Sequence, residues 1–173
     1  MALDPTASAA LDAVTIKPVY LAMIDFADGQ ERVNTSGADI VTPVVVDGDE
    51  DLYGHLFHGV NSSVIDIGPV SRKAGGTDTL QIILSGLPVL DADVIDSIED
   101  EANWLSKEIR LWRIIRNYAN VQQGGFQHYF TGNMSFLAMP IKPTGQEIHI
   151  SVEGYLASYA PASGRTYLGQ RKY

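Results

Sequence analysis

Between Gln146 and Glu153 the chain alternates strictly: Ile148, Ile150 and Val152 fall on one set of positions, and Glu147, His149, Ser151 and Glu153 on the other. A period of two sends successive side chains to opposite faces of an extended backbone, so this stretch specifies a strand with one dry and one wet face. Such a strand needs neighbours, and the sequence offers them. Thr79–Ser85 alternates Leu80, Ile82 and Leu84 against Thr79, Gln81 and Ser85, with Ile83 the exception. Thr15–Phe26 is apolar on both faces beyond Pro18, the pattern of a strand covered on both sides. Asp28-Gly29 then signals a hairpin, with Gln30–Val33 as the returning strand.

Further strands are expected at Leu52–Gly59, Ser63–Gly68, Phe126–Met139 and Gln146–Tyr155, the last two pairing antiparallel beyond a turn at Gly124-Gly125. Ile40–Val46 is β-branched, but Pro43 lacks an N–H and demotes it to a sheet edge. Ser71–Thr77 reads as a flexible basic turn. Lys107–Asn117 can be drawn as helix or strand, and its Ile and Trp content favours strand. One helix stands out: Leu90, Val94, Ile98, Ala102 and Leu105 draw a single apolar stripe, with Asp91 or Asp93 as cap and Pro88 barring extension backwards. The fold class that follows is mainly β, a β-sandwich or β-barrel of about eight or nine strands with one inserted α-helix at about 90–105. Residues 1–14 are mostly small and read as a flexible N-terminal arm. Residues 15–160 form the β-rich domain, and 161–173 an extended basic and aromatic tail.

Composition removes whole classes of function. With 173 residues and no cysteine, the chain holds no disulfide, thiolate zinc site, iron–sulfur cluster or cysteine nucleophile. No apolar run approaches the roughly 20 residues of a membrane span. An acid at Asp4 stands where a secretory signal carries positive charge, so a cytoplasmic origin is expected. A net charge of −9 fits nucleic acid poorly. That charge is uneven: residues 1–100 hold 17 acids and 4 bases, residues 101–173 hold 4 acids and 8 bases. The imbalance can be neutralised within the domain, or it can serve head-to-tail assembly of an acidic face on a basic one.

Motifs for chemistry are scarce. His55 and His58 would point to opposite faces of a strand. The acidic turn Asp47–Asp51 departs from a calcium loop, having Leu52 at the sixth place and His58 at the twelfth, and reads as a solvated turn. There is no Gly-x-Ser-x-Gly elbow, His-Glu-x-x-His pair or phosphate-binding Gly-x-x-x-x-Gly-Lys run. Asn-x-Ser triplets at Asn34, Asn61 and Asn133 are taken as chance. Trp104 and Trp112 are assigned to core packing. The tail residues Arg165, Tyr167, Arg171, Lys172 and Tyr173 have no periodic partner in the sequence, and are either disordered or anchors on another surface. No catalytic residue, cofactor or metal ligand is expected.

The order of segments carries a resemblance. Met23-Ile-Asp-Phe26 precedes Arg32-Val-Asn-Thr-Ser-Gly-Ala-Asp-Ile40, Leu52-Tyr-Gly-His-Leu-Phe-His-Gly59 and Ser63-Val-Ile-Asp-Ile-Gly68. Thr79-Leu-Gln-Ile-Ile-Leu-Ser-Gly-Leu87, Glu108-Ile-Arg-Leu-Trp-Arg113, Tyr129-Phe-Thr-Gly-Asn-Met134 and Ile148-His-Ile-Ser-Val-Glu153 follow. The series resembles the N-terminal hub domain of tail-tip or baseplate proteins from long-tailed phages and gene-transfer particles. It departs from that family in lacking tryptophans around Gly54, and in ending where larger hub proteins continue. The resemblance implies a structural virion protein, not an enzyme, made in the host cytoplasm and located in the tail. It implies a cyclic homo-oligomer of three or six copies that contacts tail-tube, distal tail and tip proteins, and neither nucleic acid nor membrane. The readings beside it are a distal tail ring protein below the tube, and a carbohydrate-binding β-sandwich with Tyr53, Phe57 and Tyr129 as its aromatic platform. A glycosidase using two of the acids is the least supported.

Overall fold

In the computed structural model, residues 5–11, 17–61, 65–71, 77–87, 92–142 and 145–155 are described. The strands are β1 (Lys17–Phe26), β2 (Gly29–Asn34), β3 (Ile40–Val41), β4 (Leu56–Gly59), β5 (Ile65–Ile67), β6 (Thr79–Leu87), β7 (Glu108–Arg116), β8 (Gln122–Ala138), β9 (Ile141–Lys142) and β10 (Gly145–Gly154). Helix α1 spans Pro5–Leu11 and α2 spans Ala92–Glu99, with a 3₁₀ turn at Glu101–Asn103. The chain is mainly β, as its alternation requires. The strands join in the order β3-β4-β2-β1-β7-β8-β10-β6-β5, with β9 paired to β10 off that path. All pairs are antiparallel except β2 with β4.

The sheet does not close into the barrel that the sequence left open: β3 and β5 end its path. It must nevertheless curl. On the path, β4 and β5 stand seven strand spacings apart, about 34 Å if the sheet lay flat at ~4.8 Å per strand. The six steps from Gly59 to Ile65 span at most about 21 Å. A flat sheet would break the chain, so the two ends are drawn round toward each other and the sheet becomes concave.

Alternation then sorts side chains into two cores. On the concave face Ala22 of β1 lies opposite Leu111 of β7, and both pack with Leu80, Ile82, Ile109, Phe130, Met134, Ile150 and Val152. On the outer face Leu21 lies opposite Trp112, joined by Val19, Met23, Ile114, Leu52 and Phe57. The doubly apolar reading of β1 is thereby explained, since loop residues after β3 cover its second face. β7 is a strand and is likewise buried on both faces.

Several expected boundaries change. Gly124-Gly125 is no turn. The β7–β8 connection is at Asn117–Val121, where the Asn117 side chain accepts from the Val121 N–H and Asn120 takes a positive φ of 64°. The two glycines lie inside β8, in a bulge between the pairs Arg113↔Gln127 and Ile115↔Gln123. Gly124 has φ 75° there, a conformation that a Cβ would strain. The expected helix at 90–105 is interrupted: Asp100 is extended, and its side chain accepts from the Ala102 N–H to start the 3₁₀ turn. Trp104 then turns inward and donates from Nε1 to the Ile98 carbonyl at 2.8 Å. Both changes have one cause, local side-chain capping that outcompetes continuation of the regular element. Leu90, Asp91 and the basic turn at 72–76 lie outside the described residues. Within the N-terminal arm Pro5–Leu11 is helical, with proline at the first position where its missing N–H costs nothing. It lies beside β7 and β8. Only Ile40–Val41 of the run to Val46 is strand, and it is an edge, as Pro43 requires.

Candidate functional site

The loop between β3 and β4 is the most constructed surface feature. Its inner side is held by buried Thr42, whose hydroxyl donates to the Leu52 carbonyl at 2.5 Å and accepts from the His55 N–H at 3.1 Å. Leu52 and Phe57 anchor it in the outer core, with the Phe57 ring edge-on to Trp112 at 6.1 Å. Of the four acids in Asp47–Asp51, Asp49 and Asp51 are partnered, which corrects the solvated-turn reading for those two, while Asp47 and Glu50 are exposed. Asp49 accepts from the Trp112 indole at 2.9 Å, and Asp51 pairs with the Arg110 guanidinium at 2.5 Å. Arg110 also contacts Glu108, and that hydrogen bond holds its guanidinium more firmly protonated than usual. The Tyr155 hydroxyl donates to the second Glu108 oxygen at 2.5 Å. The pull that carboxylates would exert on a cation is spent on Arg110, and among the described residues no cluster of three His, Asp or Glu could hold a metal ion.

What this scaffold presents outward is apolar. Val41, Val44 and Val46 are 73%, 87% and 86% exposed, and Val45 and Leu56 are also exposed. They lie at the β3–β4 edge of the sheet. A two-residue edge strand followed by proline is poorly suited to strand addition, so the patch offers side-chain burial more than backbone pairing. Among the described residues nothing covers it.

The second feature is the cavity on the concave face, 730 Å³ in volume. Its walls are side chains such as Ile24, Phe26, Ile67, Ile82, Leu84 and Trp104, and the charged residues among its described lining are Asp28 and Glu31, at the β1–β2 hairpin. Tyr20 lines the cavity and meets Tyr129 edge-on at 5.0 Å, with Arg113 5.7 Å from the Tyr129 ring centre. Burial, with the neighbouring Tyr129 second, raises the Tyr20 pKa above that of an ordinary tyrosine. Among the described residues, Arg113 Nε and Gln127 Nε2 nearby are buried and meet no acceptor.

The residues singled out from sequence fall as follows. Arg165, Tyr167, Arg171, Lys172 and Tyr173 lie outside the described residues. Tyr53, Phe57 and Tyr129 form no platform, because Phe57 is wholly buried and Tyr53 packs on Phe126 while Tyr129 packs on Tyr20. His55 and His58 do not converge: His55 contacts the Glu50 carbonyl and His58 the Asp39 carboxylate. Trp104 and Trp112 are both core residues, as expected. The sequence reading missed the valine patch as a surface. Its signal was an unalternated β-branched run around a proline. The Arg110–Asp51 pairing had no local signal at all, since its members are 59 positions apart.

No protein-family model matches the chain, and none of the curated proteins compared with it does. Among the described residues no helix is long and apolar enough to cross a membrane.

Proposed function

We propose that the chain is a structural component of a phage tail tip or baseplate, a hub-like ring subunit that joins the tail tube to tip proteins. It works as a cyclic homo-oligomer of three or six copies within the virion. The ordered series of segments that resembles hub domains supports this reading, as does the β-rich domain. The observation that carries it is the patch of Val41, Val44, Val46 and Leu56 standing on a braced edge. Covering each such side chain stabilises a contact by about 1.5–3 kcal/mol before the costs of association. A ring needs two different complementary surfaces per copy, and this edge supplies one of them.

The test is the mass of the full chain by light scattering across a concentration series, alone and with tail partners. A discrete ring mass is expected, and Val44→Asp with Val46→Asp should abolish it while leaving the melting temperature within about 2 °C, as surface changes do. A strict monomer even at high concentration with partners added would overturn the reading. Tape-measure and tail-tube genes beside the coding sequence would support it further.

A further inference from the structure

We infer that the concave cavity is the receptor for the basic, tyrosine-bearing segment 165–173 of a second copy of this chain. The inference rests on the ring reading and adds to the valine edge a second contact between copies. Three observations carry it. The cavity is apolar in its walls and acidic at its rim, where Asp28 and Glu31 are its charged described residues. That rim repels anionic amphiphiles and favours a ligand with apolar body and positive flanks.

The chain itself contains such a ligand. Residues 156–173 include Arg165, Arg171 and Lys172 and no acid, with Tyr167 and Leu168 lying between the bases. A volume of 730 Å³ falls in the range of roughly 300–1,000 Å³ that takes a compact ligand, and a pair of large side chains is of that order.

The third observation is where Tyr155, the residue that leads into that stretch, is held. Tyr155 is fixed by its hydroxyl to Glu108, which shares the outer face of β7 with Arg110 and Trp112. The cavity opens on the opposite face, the one carrying Ile109 and Leu111. Each copy thus holds Tyr155, the residue that leads into 156–173, on one face and offers the acidic apolar cavity on the other. Such a head-to-tail contact propagates from copy to copy and closes when the rotation between copies permits.

Charge reversal in the full chain tests this. Asp28→Lys with Glu31→Lys, and separately Arg165→Glu with Arg171→Glu, should each raise the assembly midpoint at least tenfold in light scattering. The chain carrying all four should recover most of the loss. Wild type that assembles with indifference to both reversals, or reversals that do not rescue one another, would overturn the inference while leaving the ring reading standing. A wild type monomeric at every concentration would overturn both. Because the sequence has no cysteine, an oxidised mixture of Glu31→Cys and Arg171→Cys chains reports the contact cleanly. A disulfide-linked heterodimer is expected. The chain bearing both cysteines should give linked multimers, and its closure only onto itself would overturn assignment to a second copy.

Discussion

Asn34 is the polar side chain on which the β2–β4 edge depends, and replacing it with aspartate changes almost nothing but chemistry. It is 1% exposed at the end of β2. Its amide donates to the Phe57 carbonyl at 2.7 Å and the Ala38 carbonyl at 3.1 Å, while its oxygen accepts from the Ser36 N–H at 2.9 Å and hydroxyl at 2.6 Å. Asn34→Asp keeps the two accepted bonds and turns the donating end into an acceptor facing two carbonyls. Two bonds at about 1 kcal/mol each are lost, and a buried carboxyl oxygen is left facing two carbonyls at a further ~1–2 kcal/mol. The total, about 3–4 kcal/mol, corresponds to a fall in melting temperature of roughly 6–16 °C for a chain of this length.

The pH dependence separates this mechanism from generic damage. Burial and the facing carbonyls push the new carboxyl above its unfolded pKa of about 3.9. A folded pKa above the unfolded one means that the protonated form suits the fold, so the deficit is greatest at neutral pH and shrinks as pH falls toward the raised value. Asn34→Ala should lose comparable stability without that pH dependence. Thermal melts by circular dichroism at pH 7, 6 and 5 are the assay. An Asn34→Asp protein as stable as wild type at pH 7, or one whose deficit stays constant down to pH 5, would refute the reasoning.

Gly132 faces Gly154 in the β8–β10 pair, and a Cβ on it would meet the Glu153 carbonyl oxygen and carbon. Gly132→Ala should therefore cost at least about 1–3 kcal/mol in urea unfolding, because backbone cannot step aside as a side chain would. Trp112→Phe removes the indole donor to Asp49 and part of the outer core, with an expected loss of about 2–3 kcal/mol and faster proteolysis of the 47–54 loop. The raised pKa of Tyr20 means that its neutral form favours the fold, so that contribution is complete below pH ~10 and is lost as pH climbs beyond it. Tyr20→Phe should flatten the alkaline limb of a stability–pH curve, and an unchanged limb would assign it to other groups.

Much of the fold was legible because burial imposes a period. Ile148, Ile150 and Val152 marked β10, and Leu80 and Ile82 marked the β6 strand that pairs with it. The doubly apolar run of β1 foretold two cores without revealing what formed the second. Pro43 identified an edge by its missing donor. What escaped was long-range or conditional. Nothing local ties Asp51 to Arg110 or Asp49 to Trp112, so an acidic turn that looked solvated is folded onto β7. The glycine pair at 124–125 has the composition of a turn, yet Asn117 and Asn120 make the turn earlier and leave the glycines to a bulge. The valine patch illustrates a different limit, since β-branched residues in a short run read alike whether a sheet covers them or not. Curvature was hidden too, because it arises from the pairing order set against the length of a single connection.

That connection, from Gly59 to Ile65, acts as a drawstring. It is a covalent tie across the mouth of a sheet in which, among the described residues, β3 and β5 do not pair with each other, so its length sets how far the margins can part. Lengthening it by four glycines would relax the girth of the whole structure, and loop-closure entropy alone would charge well under 1 kcal/mol for it. The width of the opening is in this sense encoded in the five residues between Gly59 and Ile65.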